Sequence, residues 1–538
     1  MGKRIVILYT ILLGFITILM LRLSTLAPGG SLQQAAAVQS SYALRVGESR
    51  GMIYDRNLKP LVNRASRVML AITPSPQSLA ALQAALPREE FLQLMPLLES
   101  GKPVAVAASR AVSGTGIAPF TFPVRYAGDR LAPHVVGYLD GSGGAVSGVE
   151  RGYNALLTEL GGQVRTRYHV NAMGLPLGGD AAAVSDSRPP GEGGLVLTLD
   201  RELQRIALQA AAPILRGAVV VMEVSSGEIL AMVSRPDFDQ AHVAAFLDDP
   251  DSPLFNRATA AYNVGSCFKL AVAAAALQNG FFPAYSYVCP GYYQLGEQRY
   301  ACHQLAGHWQ LSMTGAMEQS CNPYFINLGQ QLGAKKLLDM AGALGFGTPT
   351  VLCDGVISAA GSLPADPGDV SSGELANLSF GQGTLTATPV QLAQMTAIIA
   401  GGGGFVTPTL YKGVTHDGRC LPVPEAVNPR QVLSPQTAAT LRSMMIGVVE
   451  RGSGKRARPM LGGGGGKTSS AQTGTVKNGA EVVHGWFSGF YPAEQPRYAI
   501  TVLEEGGGSG AARPATVFAK ICNEICLREN YNLCRSVK

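Results

Sequence analysis

Three short strings constrain this 538-residue chain more than anything else in it: Ser266-Cys267-Phe268-Lys269, Ser320-Cys321-Asn322 and Lys467-Thr468-Ser469. Each occurs once. Of the twelve lysines only Lys269 has a serine three residues before it, Ser320-Cys321-Asn322 is the single S-x-N, and Lys467 is the single lysine followed by threonine. A fold that uses the three together must bring distant segments to one place, which demands a large, well-packed C-terminal domain.

The spacing carries chemistry. Serine is a weak nucleophile at neutral pH and needs a neighbouring base. Gly265 provides a turn, and Ser266 to Gln278 (SCFKLAVAAAALQ) reads as an Ala-rich buried helix. Positions i and i+3 share a helix face, so Lys269 lies one turn below Ser266. An ordinary lysine, with a pKa of about 10.4, would be protonated and useless as a base. Burial and a second cation such as Lys467 both favour its neutral form. The helix N-terminus adds N–H groups suited to a developing oxyanion. Ser320 and Asn322 end the pattern LSMTGAMEQ; their small polar side chains suit proton transfer to a leaving amine and a grip on a substrate amide. Lys467-Thr468 follows five glycines, Gly462 to Gly466, in a run that reads as a loop entering a strand. An exposed strand edge can pair with an extended peptide, whose terminal carboxylate Lys467 and Thr468 would meet. Each string has a bland alternative: a capped core helix with a snorkelling lysine, an Asx turn at a helix end, a surface lysine after a linker. None of these accounts for all three strings.

On these residues the chain resembles the class B penicillin-binding proteins, whose S-x-x-K, S-x-N and K-T-x motifs stand in this order. The resemblance extends over nearly the whole length. Arg50-Gly51-Met52-Ile53-Tyr54-Asp55-Arg56 is similar to the family's R-G-x-I-x-D-R segment, and Gly148-Val149-Glu150-Arg151 with Tyr153-Asn154 to its G-x-E-x-x-Y stretch. Thr198-Leu199-Asp200 with Gln204 resembles the entry to the catalytic domain. Ser379-Phe380-Gly381-Gln382-Gly383 with Thr388-Pro389 and Gln391 resembles a signature between the second and third motifs; Trp486-Phe487-Ser488-Gly489-Phe490 with Pro492 resembles a late strand and its turn. One departure stands out. The family has glycine third in its last motif and this chain has Ser469. Lys467 and Ser469 share a face of a regular strand, so the expectation is that Ser469 crowds the cleft.

The resemblance implies an α+β penicillin-binding transpeptidase fold: a central antiparallel sheet flanked by helices, a mixed N-terminal pedestal and one transmembrane helix. It implies a peptidoglycan D,D-transpeptidase in which Ser266 attacks D-Ala-D-Ala, forms an acyl-enzyme and passes the acyl group to a neighbouring stem peptide. Lys269, Ser320, Asn322 and Lys467 complete the catalytic set, Thr468, Ser469 and Ser470 bind substrate, and the N–H groups of Ser266 and Ser470 hold the oxyanion. β-Lactams would acylate the same serine. No metal or organic cofactor is implied, and the glycan-polymerising partner would be a membrane polymerase of the SEDS type. A β-lactam hydrolase or sensor, and an inactive cell-wall scaffold, share the motif set and stay open at this point.

Composition agrees with an anchored extracytoplasmic protein. Lys and Arg number 43 against 37 Asp and Glu, a net charge of +6 without a basic block, which gives no support for nucleic-acid binding. Ile5 to Leu21 is an uncharged run behind Lys3 and Arg4. As a helix its 17 residues span roughly 25 Å, short of a hydrocarbon core of roughly 30 Å unless it extends to Leu26 with Arg22 snorkelling. The basic pair favours a cytoplasmic N-terminus and an extracytoplasmic catalytic region. A cleaved signal peptide is the alternative; the absence of a clear small-x-small site favours an uncleaved anchor. The domain reading is 1–26 as anchor, 27–194 as pedestal ending in the polar linker Ser185 to Gly194, and 195–538 as catalytic region. All nine cysteines lie after residue 266. Cys289 and Cys302 flank a Gly/Tyr-rich loop and are placed to pair. No His/Cys cluster has zinc-site spacing, and His303 and His308 lack a ligand pattern.

Overall fold

In a computed structural model, described over residues 2–26, 40–178, 181, 183–419, 421, 430–477 and 479–536, the chain forms two compact units. The first takes residues 1–51, 63–125 and 158–190; the second takes 52–62, 126–157 and 191–538. The path is therefore interleaved, which corrects the expectation of one continuous pedestal from 27 to 194. The reason is a long-range pairing. Met52–Tyr54 adds in parallel to Gly194–Leu197, whose other edge pairs with Tyr411–Thr415. Met52 to Arg56 of the R-G-x-I-x-D-R segment are thereby held in the second unit. Asp55, fully buried, accepts from the backbone N–H groups of Asn57, Lys59 and Arg201 at 2.8, 2.8 and 3.0 Å.

In the first unit, Gly2–Leu26 is a single helix with its apolar side chains exposed, long and apolar enough to cross a membrane. Ser41–Ser49 pairs with Gly162–His169, which pairs with Ala183–Asp186. Ala65–Ile72 lies between Val104–Ala108 and Ile117–Val124 in a second antiparallel sheet. Helices Pro76–Ala85 and Arg88–Leu98 set Leu82, Leu94 and Leu98 against Leu70, Ile72 and Val106 of that sheet.

The second unit is built on five antiparallel strands: β1 Gly217–Glu223, β2 Ile229–Arg235, β3 Gly465–Lys477, β4 Ala480–Tyr491 and β5 Tyr498–Glu504, in the order β2-β1-β5-β4-β3. Alternate residues serve opposite faces, as strand geometry requires. Ala218, Val220 and Met222 of β1, with Trp486 and Phe490 of β4, join one core. Val219 and Val221, with Phe487, Tyr491, Ile500 and Val502, join the other. A sheet apolar on both faces must be covered on both. One cover comprises Arg201–Ala210 and the C-terminal helix Arg513–Ser536, the latter contributing Phe518, Ile521 and Ile525. Asp200 caps the first of these helices, and Arg528 forks onto its carboxylate at 3.1 and 2.9 Å. Gln204 clamps the β2 edge through both backbone groups of Met232.

The other cover holds two helices apolar on every side, Lys269–Gln278 and Pro389–Ala400. All twelve residues of the second are buried. The repeated alanines of the first let helices approach closely; its one charged side chain is Lys269, fully buried. Strand β3 ends the sheet's order, so its outer edge is open to an added strand.

Candidate active site

The chain enters the site through Gly265, at φ +60°, where a Cβ would collide with Ser469 Oγ. Gly265 N donates to the Gly381 carbonyl at 2.8 Å. Gly381 is at φ +81°, and a Cβ there would strike the Gly265 carbonyl. Two glycines in conformations that side chains avoid thus let two backbones touch, and this explains the glycine of the Ser379–Gly383 string. Ser266 follows on a 3-10 turn, Gly265–Phe268, rather than inside the regular helix, which starts at Lys269. Ser266 is part-exposed while Cys267, Phe268 and Lys269 are buried.

Lys269 Nζ donates to the Ser320 carbonyl at 2.7 Å and Asn322 Oδ1 at 2.6 Å, and lies 3.3 Å from Ser320 Oγ. Nζ is the donor in all three contacts; a neutral amine, with two N–H groups, would keep the two short ones and free its lone pair to take a proton. Burial, then the charge of Lys467, holds the Lys269 pKa well below its ordinary value. Lys467, also fully buried, donates to Ser320 Oγ and to the Thr468 carbonyl, both at 2.9 Å. Burial lowers its pKa to about 8, so at neutral pH it is mostly charged, beside a Lys269 whose charged form is disfavoured by burial and by Lys467 itself. Ser320 Oγ therefore bridges the two lysine amines, the arrangement of a proton relay. Ser320 itself stands at φ +55°, a conformation uncommon for non-glycine residues.

Strand β3 supplies the rest. Thr468 Oγ1 is 2.8 Å from Ser453 Oγ, and Ser470 is exposed. Ser469 departs from expectation. It is buried, and its hydroxyl donates to the Val264 carbonyl at 2.7 Å. The side chain is tied beneath the turn that carries Ser266 instead of crowding the cleft. Trp486 Nε1 holds the same segment one residue earlier, donating to the Asn263 carbonyl at 2.9 Å.

Cys289 and Cys302 are free thiols, so the pairing open to those two is not made. Sequence spacing points to no metal site. The fold nevertheless gathers Cys289, Cys302, His308 and Cys321, with their donor atoms all within 4.8 Å of one another. Cys321, the middle residue of S-x-N, ties this group to the second motif.

A family model described as the penicillin binding protein transpeptidase domain matches residues 217–523. The chain belongs to the penicillin-binding transpeptidase family. With its apolar N-terminal helix and its first unit outside that domain, it is a class B penicillin-binding protein. It is 32% identical over 350 residues to the peptidoglycan D,D-transpeptidase MrdA of Acinetobacter baumannii, covering 59% of this chain and 52% of that protein. It is 31% identical over 349 residues to the peptidoglycan D,D-transpeptidase PbpA of Mycolicibacterium smegmatis, covering 60% and 69%. With stage V sporulation protein D of Bacillus subtilis it shares 30% over 412 residues, covering 73% and 61%. The chain thus spans about half to two thirds of the length of the curated relatives it matches. Among solved structures, Helicobacter pylori PBP2 in complex with MreC superposes with a TM-score of 0.67 at 22% identity, covering 90% of this chain and 98% of that one. Pseudomonas aeruginosa PBP2 in complex with WCK 5153 gives 0.60 at 26%, covering 89% and 95%.

Proposed function

We propose that this class B penicillin-binding protein is a peptidoglycan D,D-transpeptidase acting through a Ser266 acyl-enzyme and inhibited by β-lactams. The observation that carries this reading is the bridge Lys269–Ser320–Lys467, in which one hydroxyl lies within hydrogen-bond reach of two buried amines. Neutral Lys269 takes the Ser266 proton as Oγ attacks the carbonyl of the penultimate D-Ala. The N–H groups of Ser266 and Ser470 face the oxyanion. Ser320 returns a proton to the departing D-Ala amine, with Lys467 holding its hydroxyl. An amine from a second stem peptide then attacks the ester, and the same groups work in reverse. Lys467 and Thr468 meet the donor carboxylate, Asn322 holds a substrate amide, and the donor peptide pairs with the open edge of β3.

Lys3 and Arg4 before the apolar helix set the N-terminus in the cytoplasm and the catalytic unit outside. Glycan polymerisation is then left to a SEDS-type membrane partner. Hydrolase and sensor readings are disfavoured by the non-catalytic first unit, which neither needs. An inactive scaffold is disfavoured because two lysines are buried side by side on one hydroxyl, a costly arrangement to keep without chemistry. The deciding experiment is labelling of the purified protein with a fluorescent penicillin, followed by mapping of the modified peptide. An adduct on Ser266 that deacylates slowly supports a transpeptidase, fast deacylation supports a hydrolase, and no adduct leaves the scaffold.

A further inference from the structure

Beside the lysine pair lies a second group of reactive side chains that the transpeptidase chemistry does not use. Cys289 ends the strand Ser286–Cys289, Cys302 follows the hairpin of Tyr292–Leu295 and Gln298–Ala301, and His308 precedes the strand Trp309–Ser312 that pairs back on the first. The backbone locks these three together. His308 N donates to the Cys289 carbonyl at 3.1 Å and Cys302 N to the Gly291 carbonyl at 2.8 Å. Gly291 and Gly307, at φ +95° and +81°, sit where a Cβ would collide with the Leu305 and Cys289 carbonyls, so the loops close to a distance only glycine allows. The fourth donor comes from elsewhere. Cys321 caps the helix Asn322–Leu332, its own N–H bonded to the Ala316 carbonyl at 3.0 Å. Cys289, Cys302 and Cys321 are buried.

We propose that Cys289, Cys302, His308 and Cys321 bind one tetrahedral divalent metal ion of the zinc class, and that this ion fixes the loop carrying Ser320. Three thiolates and an imidazole form a complete, closed tetrahedral set, which selects a soft structural metal over calcium or magnesium. The geometry fits. With metal–sulfur and metal–nitrogen bonds of roughly 2.3 and 2.0 Å, a tetrahedral S–N edge measures about 3.5 Å; Cys302 Sγ and His308 Nδ1 are 3.5 Å apart. On binding, the three thiols release their protons and no bond of the chain is broken. His303, exposed and 3.9 Å from Cys302 Sγ through its Nδ1, lies outside the set. The second half of the proposal rests on the reading of Ser320 as catalytic. Cys321 stands between Ser320 and Asn322, the two residues that hold Lys269 Nζ. An ion on Cys321 Sγ anchors both and maintains the left-handed backbone of Ser320. Cys289, Cys302 and His308 are thus positioning residues for the acylation step.

The test uses the full-length protein in detergent under a reductant. Elemental analysis should find about one zinc per chain. Protein produced with cobalt should show the visible bands of a tetrahedral ion and near-ultraviolet thiolate charge transfer, a readout that needs no variant. A Cys289→Ser/Cys302→Ser double variant should lose the metal, and labelled penicillin should acylate Ser266 at least tenfold more slowly. His308→Cys, which keeps four donors, should retain the metal, and His303→Ala, outside the set, should change neither metal content nor rate. Wild-type protein without metal, or with two of these thiols in a disulfide, overturns the site. Metal loss in the double variant with an unchanged acylation rate overturns the positioning role. A metal-replete wild type that penicillin does not label counts against the active-site reading alone and leaves the metal site standing.

Discussion

Ser469 Oγ donates to the Val264 carbonyl at 2.7 Å, joining the third motif of the active site to the residue two before the nucleophile. Where the family has glycine, this chain has a strut between strand β3 and the turn at Gly265. Ser469→Gly removes one buried hydrogen bond, costing about 1 kcal/mol, and leaves the Val264 carbonyl without that donor. Thermal unfolding should shift down by a few degrees, and acylation should slow by a similar factor for small and bulky β-lactams, because the turn loosens for both. A selective gain for bulky β-lactams would show that the side chain crowds the cleft after all.

Ser266 and Lys269 separate chemistry from stability. Ser266→Ala should abolish covalent labelling with an almost unchanged melting curve, since the hydroxyl is part-exposed and outside the core. Lys269→Ala should slow acylation by roughly a thousandfold, the order expected for loss of a general base. Labelling that survives the first change, or near-normal acylation after the second, would assign the roles elsewhere.

Much of this site is legible because its logic is local. An S-x-x-K string on helical turns places a base below a nucleophile whatever surrounds it, and an all-apolar helix announces that its lone lysine is buried. What is not legible depends on long-range pairing. Met52–Tyr54 joins the second unit through a strand more than a hundred residues later, so no linker marks the crossing. Cys289, Cys302, His308 and Cys321 are separated by twelve, five and twelve residues, unlike the short repeats that advertise zinc ligands; a hairpin and a helix end fold them together. For Ser469, strand alternation gives the side chain's face but not its hydrogen-bond partner, the Val264 carbonyl.

Gly381 tests the backbone contact behind the nucleophile. Gly381→Ala sets a Cβ against the Gly265 carbonyl at a φ of +81°. The combined strain should cost about 2–4 kcal/mol and slow acylation. Gly383→Ala, also at positive φ but near only the side chain of Asn377, should cost less. Equal effects of the two on melting temperature and acylation would remove the special status of the Gly265–Gly381 contact.

The pH dependence of acylation should report the lysine pair. Lys269 must be neutral to accept a proton, so the rate rises with pH as it deprotonates, well below the usual lysine range. Lys467 must stay charged to hold Ser320 and a carboxylate, so the rate falls as pH passes its lowered value of about 8. Lys467→Arg keeps the charge at all accessible pH. Whatever it costs in absolute rate, its ratio of acylation at pH 9.5 to that at pH 7 should exceed the wild-type ratio. Stability carries the same signature with a definite sign. Between about pH 8 and the unfolded value of about 10.4, the unfolded chain binds the Lys467 proton and the native chain does not. This group therefore adds stability as pH rises through that window, by about 3 kcal/mol in all, and a fully charged arginine does not. A wild-type acylation profile flat from pH 7 to 9.5, or an identical alkaline fall in the arginine variant, would show that Lys467 is not the group titrating there.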